Sequence, residues 1–362
     1  MNSRVVLLLI SHSCNLNCKY CYEKYKNSRK MSWDDALVIL ESEFKNDPDE
    51  IESVDLLGGE PLTNFDLLKR ISHWIWENHP GVKVFARTNG TLLTEDAKQW
   101  FSINKDRFVL GLSIDGTPDT NIINRGVQSL PLDFFYENWP NNPLKMTIFP
   151  DSVGLLTDSV KYLQNKGFNL IGGLAQGVKW SDKSCEELRA ELEKLTEYYE
   201  SNSELEPLSP LFDLDFFRAY WIPLSLDELD PPCWKVANIH TYDCDGELLP
   251  CQMFSSIVQG ERNRKTILKD ASELKCELLP QECQLCPIRW TCKNCMALNY
   301  QRYGNFETNI NVELMCKAQK LVSYYSASLL ISKANCNTID LSLDNNRISV
   351  QNAIRYVKEF KE

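Results

Sequence analysis

The stretch Ser13-Cys14-Asn15-Leu16-Asn17-Cys18-Lys19-Tyr20-Cys21-Tyr22 decides how this chain is read. It follows an apolar run, Arg4-Val5-Val6-Leu7-Leu8-Leu9-Ile10, that turns polar at Ser11-His12-Ser13. That run is too short to span a membrane and has no cleavage-site pattern after it, so it reads as a buried strand. The loop beyond it carries Cys14, Cys18 and Cys21 in C-x3-C-x2-C spacing. Three thiolates are too few to close a tetrahedral zinc site unaided, and three are what a cubane iron-sulfur cluster uses when one iron stays open for a ligand. A zinc knob completed by His12 or a distant residue, or buried cysteines with no metal, are the alternatives at this point.

The rest of the composition bears on that choice. With 362 residues the chain suits one large domain plus a smaller appendage. Its net charge of -11 repels polyphosphate, and no basic groove offsets it, which argues against nucleic acid and for a neutral or basic peptide partner. No membrane segment, signal or lipidation motif is seen, so the cytoplasm is the expected compartment. Fourteen cysteines in such a chain argue for metal ligation rather than disulfides. Ten of them fall into two ordered groups.

Up to about residue 205, short apolar runs alternate with amphipathic helical stretches, the pattern of repeated strand-helix units on a mainly parallel sheet. The expected strands are Val5 to Ile10, Val54 to Leu57, Val82 to Arg87, Phe108 to Ser113, Leu144 to Ile148 and Leu170 to Leu174. Ser32, Thr94 and Ser181 are the expected helix caps. Nearly every strand runs into a loop rich in Gly, Asp, Asn or Cys, where parallel barrels carry their chemistry. Glu204 to Pro232 is proline-punctuated and aromatic, a bridge, and the segment from 233 to 316 holds nine cysteines among short elements, as a region folded around metal would. A helix from about Val312 to Ser332 and an amphipathic one with Val350, Ile354, Val357 and Phe360 on one side close the chain. The boundaries fall at residues 1–230, 231–325 and 326–362.

On Cys14, Cys18, Tyr20 and Cys21 the sequence resembles the radical S-adenosylmethionine (SAM) superfamily, and further matches follow at successive strand exits. Gly58-Gly59-Glu60-Pro61 resembles the family's GGEP motif, Thr88-Asn89-Gly90 closes the third strand, and Ser113-Ile114-Asp115-Gly116 the fourth. The resemblance implies a partial (β/α)6 TIM-like barrel of α/β class. In it Glu60 and the Gly58–Pro61 backbone would hold the methionyl amino group, and Ser113 and Arg125 would contact ribose and carboxylate; Tyr20, Thr88, Asn89 and Asp115 would complete the cofactor site. Taken singly, each glycine motif is an ordinary turn former. The implied chemistry is reductive cleavage of SAM, bound at the open iron, to a 5'-deoxyadenosyl radical that takes a hydrogen atom from substrate, fed by an external electron donor of flavodoxin or ferredoxin type.

The later group, Cys233, Gly246, Cys251, Cys283, Cys286, Cys292, Cys295 and Cys316, resembles the SPASM extension with two auxiliary clusters, for three [4Fe-4S] clusters in all. By that resemblance Cys283, Cys286, Cys292 and Cys316 hold the outer cluster, and Cys233, Cys251 and Cys295 the inner one, with Cys244 the candidate fourth ligand. A single zinc in C-x2-C-x5-C-x2-C is the alternative, though its middle spacing is short for a ribbon. Gly246, in Asp243-Cys244-Asp245-Gly246, marks a hairpin turn. Cys185, Cys276 and Cys336 fit no spacing and are expected to be small packing residues; the histidines, and the strand-exit residues Arg87, Lys145, Asp151 and Gln176, are assigned no catalytic role.

The resemblance implies a maturase of a ribosomally made peptide, forming a carbon-carbon or thioether crosslink. The leader-gripping N-terminal domain common in such maturases is not seen before the first strand, which would leave recognition to the barrel mouth or a separate leader-binding protein. Anaerobic sulfatase maturation is a second enzyme reading; there an Asp follows the cysteine of G-x4-C, whereas Gln252 follows Cys251, and an amide is no general base. A non-catalytic iron-sulfur scaffold or electron carrier is the third.

Overall fold

The computed structural model describes residues 4–46, 50–212, 238–274, 279–284, 286–289, 292 and 294–360. Met1–Ser113, Ser129–Asn142 and Asp230–Glu277 make one compact unit, and Ile114–Gln128, Pro143–Leu229 and Leu278–Glu362 a second.

The first unit is built on a six-stranded sheet. Strands β1 (Arg4–Ser11), β2 (Ile51–Gly58), β3 (Lys83–Thr88) and β4 (Phe108–Leu112) are parallel, each within three residues of its expected bounds. Their register places Val6, Val54, Val84 and Phe108 in one row, and Leu8, Leu56, Ala86 and Leu110 in the next. All eight are fully buried, as are Leu40 of α1 (Trp33–Asn46), Leu68, Ile71 and Ile75 of α2 (Phe65–Asn78) and Phe101 of α3 (Glu95–Asn104). At about 1.5–3 kcal/mol for each large apolar side chain removed from water, these rows fix which face of the sheet is the core face. The caps are those the sequence marks: Ser32 Oγ accepts from Asp35 N at 3.1 Å, and the Thr94 side chain accepts from Ala97 N.

The other face of this sheet is more polar. Asp55 lies opposite Phe85, and Arg87 opposite Gly111, where an added Cβ would come within 3.3 Å of the guanidinium. Arg87 Nη1 is buried with no hydrogen-bond partner among the described residues, and burial pulls the Arg87 pKa below its usual value. The sheet is extended beyond β1 by a strand the sequence did not reveal, β8 (Ile239–Tyr242), which pairs parallel with Val5 to Leu8. It is short and only partly buried, so it lacks the apolar run that marks its neighbours. The expected hairpin follows: Gly246 has φ +78, its N–H donates to Asp243 O at 2.9 Å, and β9 (Leu248–Leu249) returns antiparallel.

The second unit holds a parallel three-stranded sheet of β5 (Leu144–Ile148), β6 (Leu170–Leu174) and β7 (Ser209–Pro210), with β5 and β6 at their expected positions. Among its helices are α4 (Pro118–Arg125), α5 (Leu156–Gln164) and α6 (Asp182–Ser201), whose Ser181 cap accepts from Ser184 N. The long helix expected from Val312 instead runs from Cys316 to Asn335 after a short helix, Ile310–Leu314; Met315, at φ -151, breaks the two apart and sets Cys316 at the start of the second. The last helix, Asp344–Glu359, buries Val350, Ala353 and Tyr356 against Ala327, Leu330 and Ala334, while Ile354, expected on that face, is 37% exposed. The buried stripe takes the steps of three that run 350, 353, 356, so residue 354 falls off its edge. Of the three cysteines outside the spacings, Cys185 is buried as expected, Cys336 is exposed and does not pack, and Cys276 lies outside the described residues.

Candidate active site and cysteine clusters

In the first unit, the loop of Cys14, Cys18 and Cys21 is held from below by Gly58 and Gly59. Gly58 has φ +147, and a Cβ there would lie 2.1 Å from Ser11 O; a Cβ on Gly59 would lie 2.7 Å from Ser13 O and 3.0 Å from the Cys14 Cβ. Only glycine allows this approach, which lets Gly59 N donate to Ser11 O (2.8 Å) and Glu60 N to Ser13 O (2.9 Å). Glu60, 1% exposed, then ties the motifs together. Its Oε1 accepts from Thr88 Oγ1 at 2.7 Å and Leu62 N at 3.1 Å, and its Oε2 from Asn89 N at 2.7 Å. Pro61 begins a 3-10 turn that Glu60 caps.

The Thr88-Asn89-Gly90 turn reaches back to the cysteine loop. Asn89 Nδ2 donates to Asn15 Oδ1 (3.0 Å), and Asn15 Nδ2 to Thr91 Oγ1 (2.7 Å). Ser113, at the end of this unit, donates its N–H to Thr88 O at 2.9 Å. Thus Gly58, Gly59, Glu60, Thr88 and Asn89 converge on Cys14, and Asn15 and Thr91, which the motifs did not single out, complete the clasp. Tyr20 is half-buried within the loop.

The thiols sit in a mixed environment. Burial pushes the Cys14 and Cys21 pKa values up, and Glu23, itself pushed up to about 7 mainly by burial, adds to the rise at Cys21. The Lys26 ammonium, which donates to Leu16 O at 3.0 Å, works against that rise at both. A metal bound here would displace protons from thiols that resist ionisation alone.

Behind the loop lies a buried network that sequence patterns left unmarked. His12 Nε2 meets Asp243 Oδ1 at 2.5 Å, both side chains wholly buried, and Asp243 Oδ2 accepts from Ser256 N (3.2 Å) and pairs with Arg264 (3.1 Å). Burial alone would raise the Asp243 pKa, but His12 and the backbone N–H groups of Cys244 and Ser256 hold it at about 2. Cys244, 2% exposed, donates its thiol to Leu9 O at 2.9 Å, and burial pushes its pKa up to about 12.

In the second unit, Asp115 and Arg125 are found on each other. Asp115 Oδ1 accepts from Arg125 Nη2 at 2.8 Å and Thr147 N at 3.0 Å, and its Oδ2 from Asn124 Nδ2 at 3.2 Å. The pair is buried and fastens the end of α4 to the loop after β4.

The same unit gathers Cys283, Cys286, Cys292 and Cys316, all half-buried and free of disulfides. Burial raises Cys283 and Cys286 and pushes Cys292 up to about 12, and the charges of Cys283, Cys286 and Cys316 act together on Cys292. Cys286 and Cys292 also pack on the apolar cluster of Ile288, Ala327 and Leu330. Among the described residues only His12, Asp243 and Cys244 bring three metal-binding atoms within 4.8 Å of one another. A set of four thiols suits the ligands of a cubane iron-sulfur cluster and also those of one tetrahedral zinc. Cys251 opens a 3-10 turn in the first unit, Cys295 precedes helix Met296–Tyr303 in the second, and Cys233 lies outside the described residues.

Residues 8–128 match the family described as the Radical SAM superfamily. Over 126 residues the chain is 30% identical to an uncharacterized protein of Methanocaldococcus jannaschii, covering 33% of this chain and 41% of that one. Over 125 residues it is 31% identical to a cysteine-type anaerobic sulfatase-maturating enzyme of Clostridium perfringens, covering 32% and 33%. The chain thus spans well under two thirds of the curated relatives it matches. In structure it is similar to anSMEcpe with bound AdoMet (TM-score 0.62, 19% identity, 91% of this chain and 99% of that one) and to Streptococcus suis SuiB bound to precursor peptide SuiA (TM-score 0.60, 17% identity, 86% and 76%). These likenesses bear out the α/β fold with mainly parallel strands. No helix among the described residues is long and apolar enough to cross a membrane.

Proposed function

We propose, from the premise that residues 8–128 are a radical SAM domain, that this chain is a radical SAM enzyme that modifies a side chain or backbone carbon of a peptide. The observation that carries the reading is the clasp of Glu60, Thr88 and Asn89 around Gly59 and the Cys14 loop. Cys14, Cys18 and Cys21 would hold a [4Fe-4S] cluster with one open iron. When bound, the reduced cluster would supply one electron to the sulfonium carbon-sulfur bond of SAM, whose cleavage would leave methionine and a hydrogen-abstracting 5'-deoxyadenosyl radical. The residues of the chain orient these groups. Glu60 places a buried carboxylate, fixed by three donors, beside Cys14, where a methionyl ammonium would be met by negative charge. Gly58, Gly59 and Pro61 shape the backbone around it, and by the family resemblance Tyr20 and Ser113 would complete the cofactor site. Asp115 and Arg125 act as a pair, Asp115 holding the guanidinium in place.

Cys283, Cys286, Cys292 and Cys316 would hold an outer auxiliary cluster, and Cys233, Cys251 and Cys295 an inner one. Cys244 stays the candidate fourth ligand of the inner cluster; to bind iron its thiol would have to give up its hydrogen bond to Leu9 O and its proton. On this division residues 1–230 form the catalytic region, 231–325 the auxiliary-cluster region and 326–362 a helical tail, with electrons from a flavodoxin- or ferredoxin-type donor in the cytoplasm and, where a leader is recognised, a separate leader-binding protein.

The peptide substrate is supported by the relatives and by the acidic charge of the chain. Sulfatase maturation is the second reading, favoured by the Clostridium relative and weakened by Gln252 where a base would be needed. Anaerobically reconstituted protein given dithionite and SAM is expected to release 5'-deoxyadenosine; none would reduce the chain to an iron-sulfur scaffold. Mass spectrometry of a co-expressed short peptide encoded beside the gene then separates the chemistries. Loss of two hydrogens marks crosslinking, and a mass unchanged in ordinary water but raised by one deuterium in heavy water marks epimerisation.

A further inference from the structure

We infer that Asn309 and Asn311 donate hydrogen bonds to the sulfur ligands of the outer auxiliary cluster and thereby set its reduction potential. The inference rests on the reading above that Cys283, Cys286, Cys292 and Cys316 ligate a cluster. Asn309 Nδ2 lies 3.5 Å from Cys283 Sγ, and Asn311 Nδ2 lies 3.5 Å from Cys292 Sγ. Both asparagines are buried, at 4% and 1% exposure.

The way Asn309 faces its sulfur follows from its helix cap. Asn309 caps Ile310–Leu314, its Oδ1 accepting from Asn311 N at 2.9 Å, so the amide nitrogen is the end left to face Cys283. Turning the amide over would set its NH2 against the Asn311 N–H and its oxygen against an anionic sulfur, so the cap fixes the donor toward the thiolate. The backbone between them is pinned from the other side: Ile310 N donates to the wholly buried Asn299 Oδ1 at 2.9 Å, and Asn299 Nδ2 donates to Asn294 Oδ1 at 2.8 Å. The donors are therefore preorganised in a buried setting where a hydrogen bond to an anion is stronger than in water.

The consequence is electrostatic. A reduced cluster carries one more negative charge than the oxidised one, and that charge is spread onto the thiolate sulfurs. An amide N–H pointed at sulfur stabilises the reduced state more, which raises the potential, and its removal lowers it. Each donor is expected to shift the ratio of reduced to oxidised cluster about tenfold at fixed ambient potential, which is about 59 mV for a one-electron couple. Asn309 and Asn311 are positioning residues in this sense; neither need touch substrate.

The test begins from full-length protein with Cys14, Cys18 and Cys21 replaced by alanine, so that only auxiliary clusters remain, and follows potentiometric titration by electron paramagnetic resonance. Asn311→Leu removes one donor at similar volume. Asn309→Ser removes the other amide donor, keeps a capping oxygen and adds no charge. Each is expected to make one midpoint more negative by about 59 mV at unchanged iron per chain, and the other cluster's midpoint should hold still. Unchanged midpoints in both variants at full iron content would overturn the inference. A measurement on unmutated asparagines covers the case in which a variant does not fold. With asparagine labelled by nitrogen-15 at the side-chain amide only, pulsed resonance of the reduced outer cluster should show a nitrogen-15 coupling, and its absence also overturns the inference. If the four cysteines hold zinc or no iron at all, the cluster assignment itself fails, an outcome that metal analysis reports separately.

Discussion

Gly59→Ala tests whether the cysteine loop is positioned by backbone contact. Gly59 is not among the positive-φ glycines, so alanine is acceptable to its backbone, and the whole effect must come from the new methyl group. That methyl would lie 2.7 Å from Ser13 O and 3.0 Å from the Cys14 Cβ, against ordinary contact distances of about 3.5 Å. The neighbours are backbone and the stem of a ligand cysteine, held by the bonds from Gly59 N and Glu60 N, so they must shift by roughly half an ångström or more. Overpacking of this kind costs about 1–3 kcal/mol, and the smaller unfolded-state entropy of alanine returns about 0.4–1 kcal/mol. The net expectation is about 0–2.6 kcal/mol of destabilisation, with displacement of Cys14 from its partners. Urea denaturation of the metal-free chain reads the first, and iron and sulfide per chain after anaerobic reconstitution reads the second. Gly154→Ala, where nothing lies within 4 Å of the added Cβ, is the control and is expected to gain about 0.4–1 kcal/mol with the iron content of wild type. If Gly59→Ala has the midpoint and iron content of that control, the glycine pair does not position the cysteines, and the central argument for the site fails.

Other expectations follow from the same geometry. Arg125→Leu leaves the buried Asp115 carboxylate without its guanidinium, held by Thr147 N and Asn124 Nδ2, and should cost about 3–5 kcal/mol in a urea titration, while the double variant with Asp115→Asn should recover much of it; equal losses would mean that the pair is not coupled. Arg87→Met removes a guanidinium that lies 5.4 Å over the Phe85 ring and offsets the charge of Asp55, and should lower stability by about 1 kcal/mol in a urea titration; a rise would show that the cost of burying the guanidinium outweighs both contacts. Tyr199 is fully buried, accepts from Leu208 N at 3.0 Å, and its pKa is raised by burial. Its contribution is complete below the unfolded value of about 10 and is lost as pH climbs toward the folded value, at about 1.4 kcal/mol per pH unit. Tyr199→Phe should therefore cost about 1 kcal/mol at neutral pH and flatten the alkaline decline seen by denaturation at pH 10 to 11; an unchanged slope would refute it.

The parts of this molecule that could be read in advance are those whose cause is local. Periodic apolar runs marked β1 to β6, and hydroxyl side chains at Ser32, Thr94 and Ser181 marked helix starts, because burial on one face and satisfaction of free N–H groups act over a few residues. Strand β8 escaped because it owes its place to an open sheet edge beside β1 rather than to its own composition. His12 escaped as well: a lone histidine before a cysteine triplet carries no pattern, and its partner Asp243 lies 231 residues away. Asp115 and Arg125 were both expected near a cofactor, but their bond to each other became visible only once α4 was folded back over the loop after β4.

The sequence alone determined the donor chemistry: which thiols are available, in what order, on loops after which strands, and that two of the loops contain glycines able to approach closely. Only the tertiary structure decided which donors share a space. Thiol spacing is a covalent property of neighbouring residues, whereas the carboxylate of Glu60, the amides of Asn309 and Asn311 and the buried pair of His12 and Asp243 reach their partners through contacts that chain order does not encode.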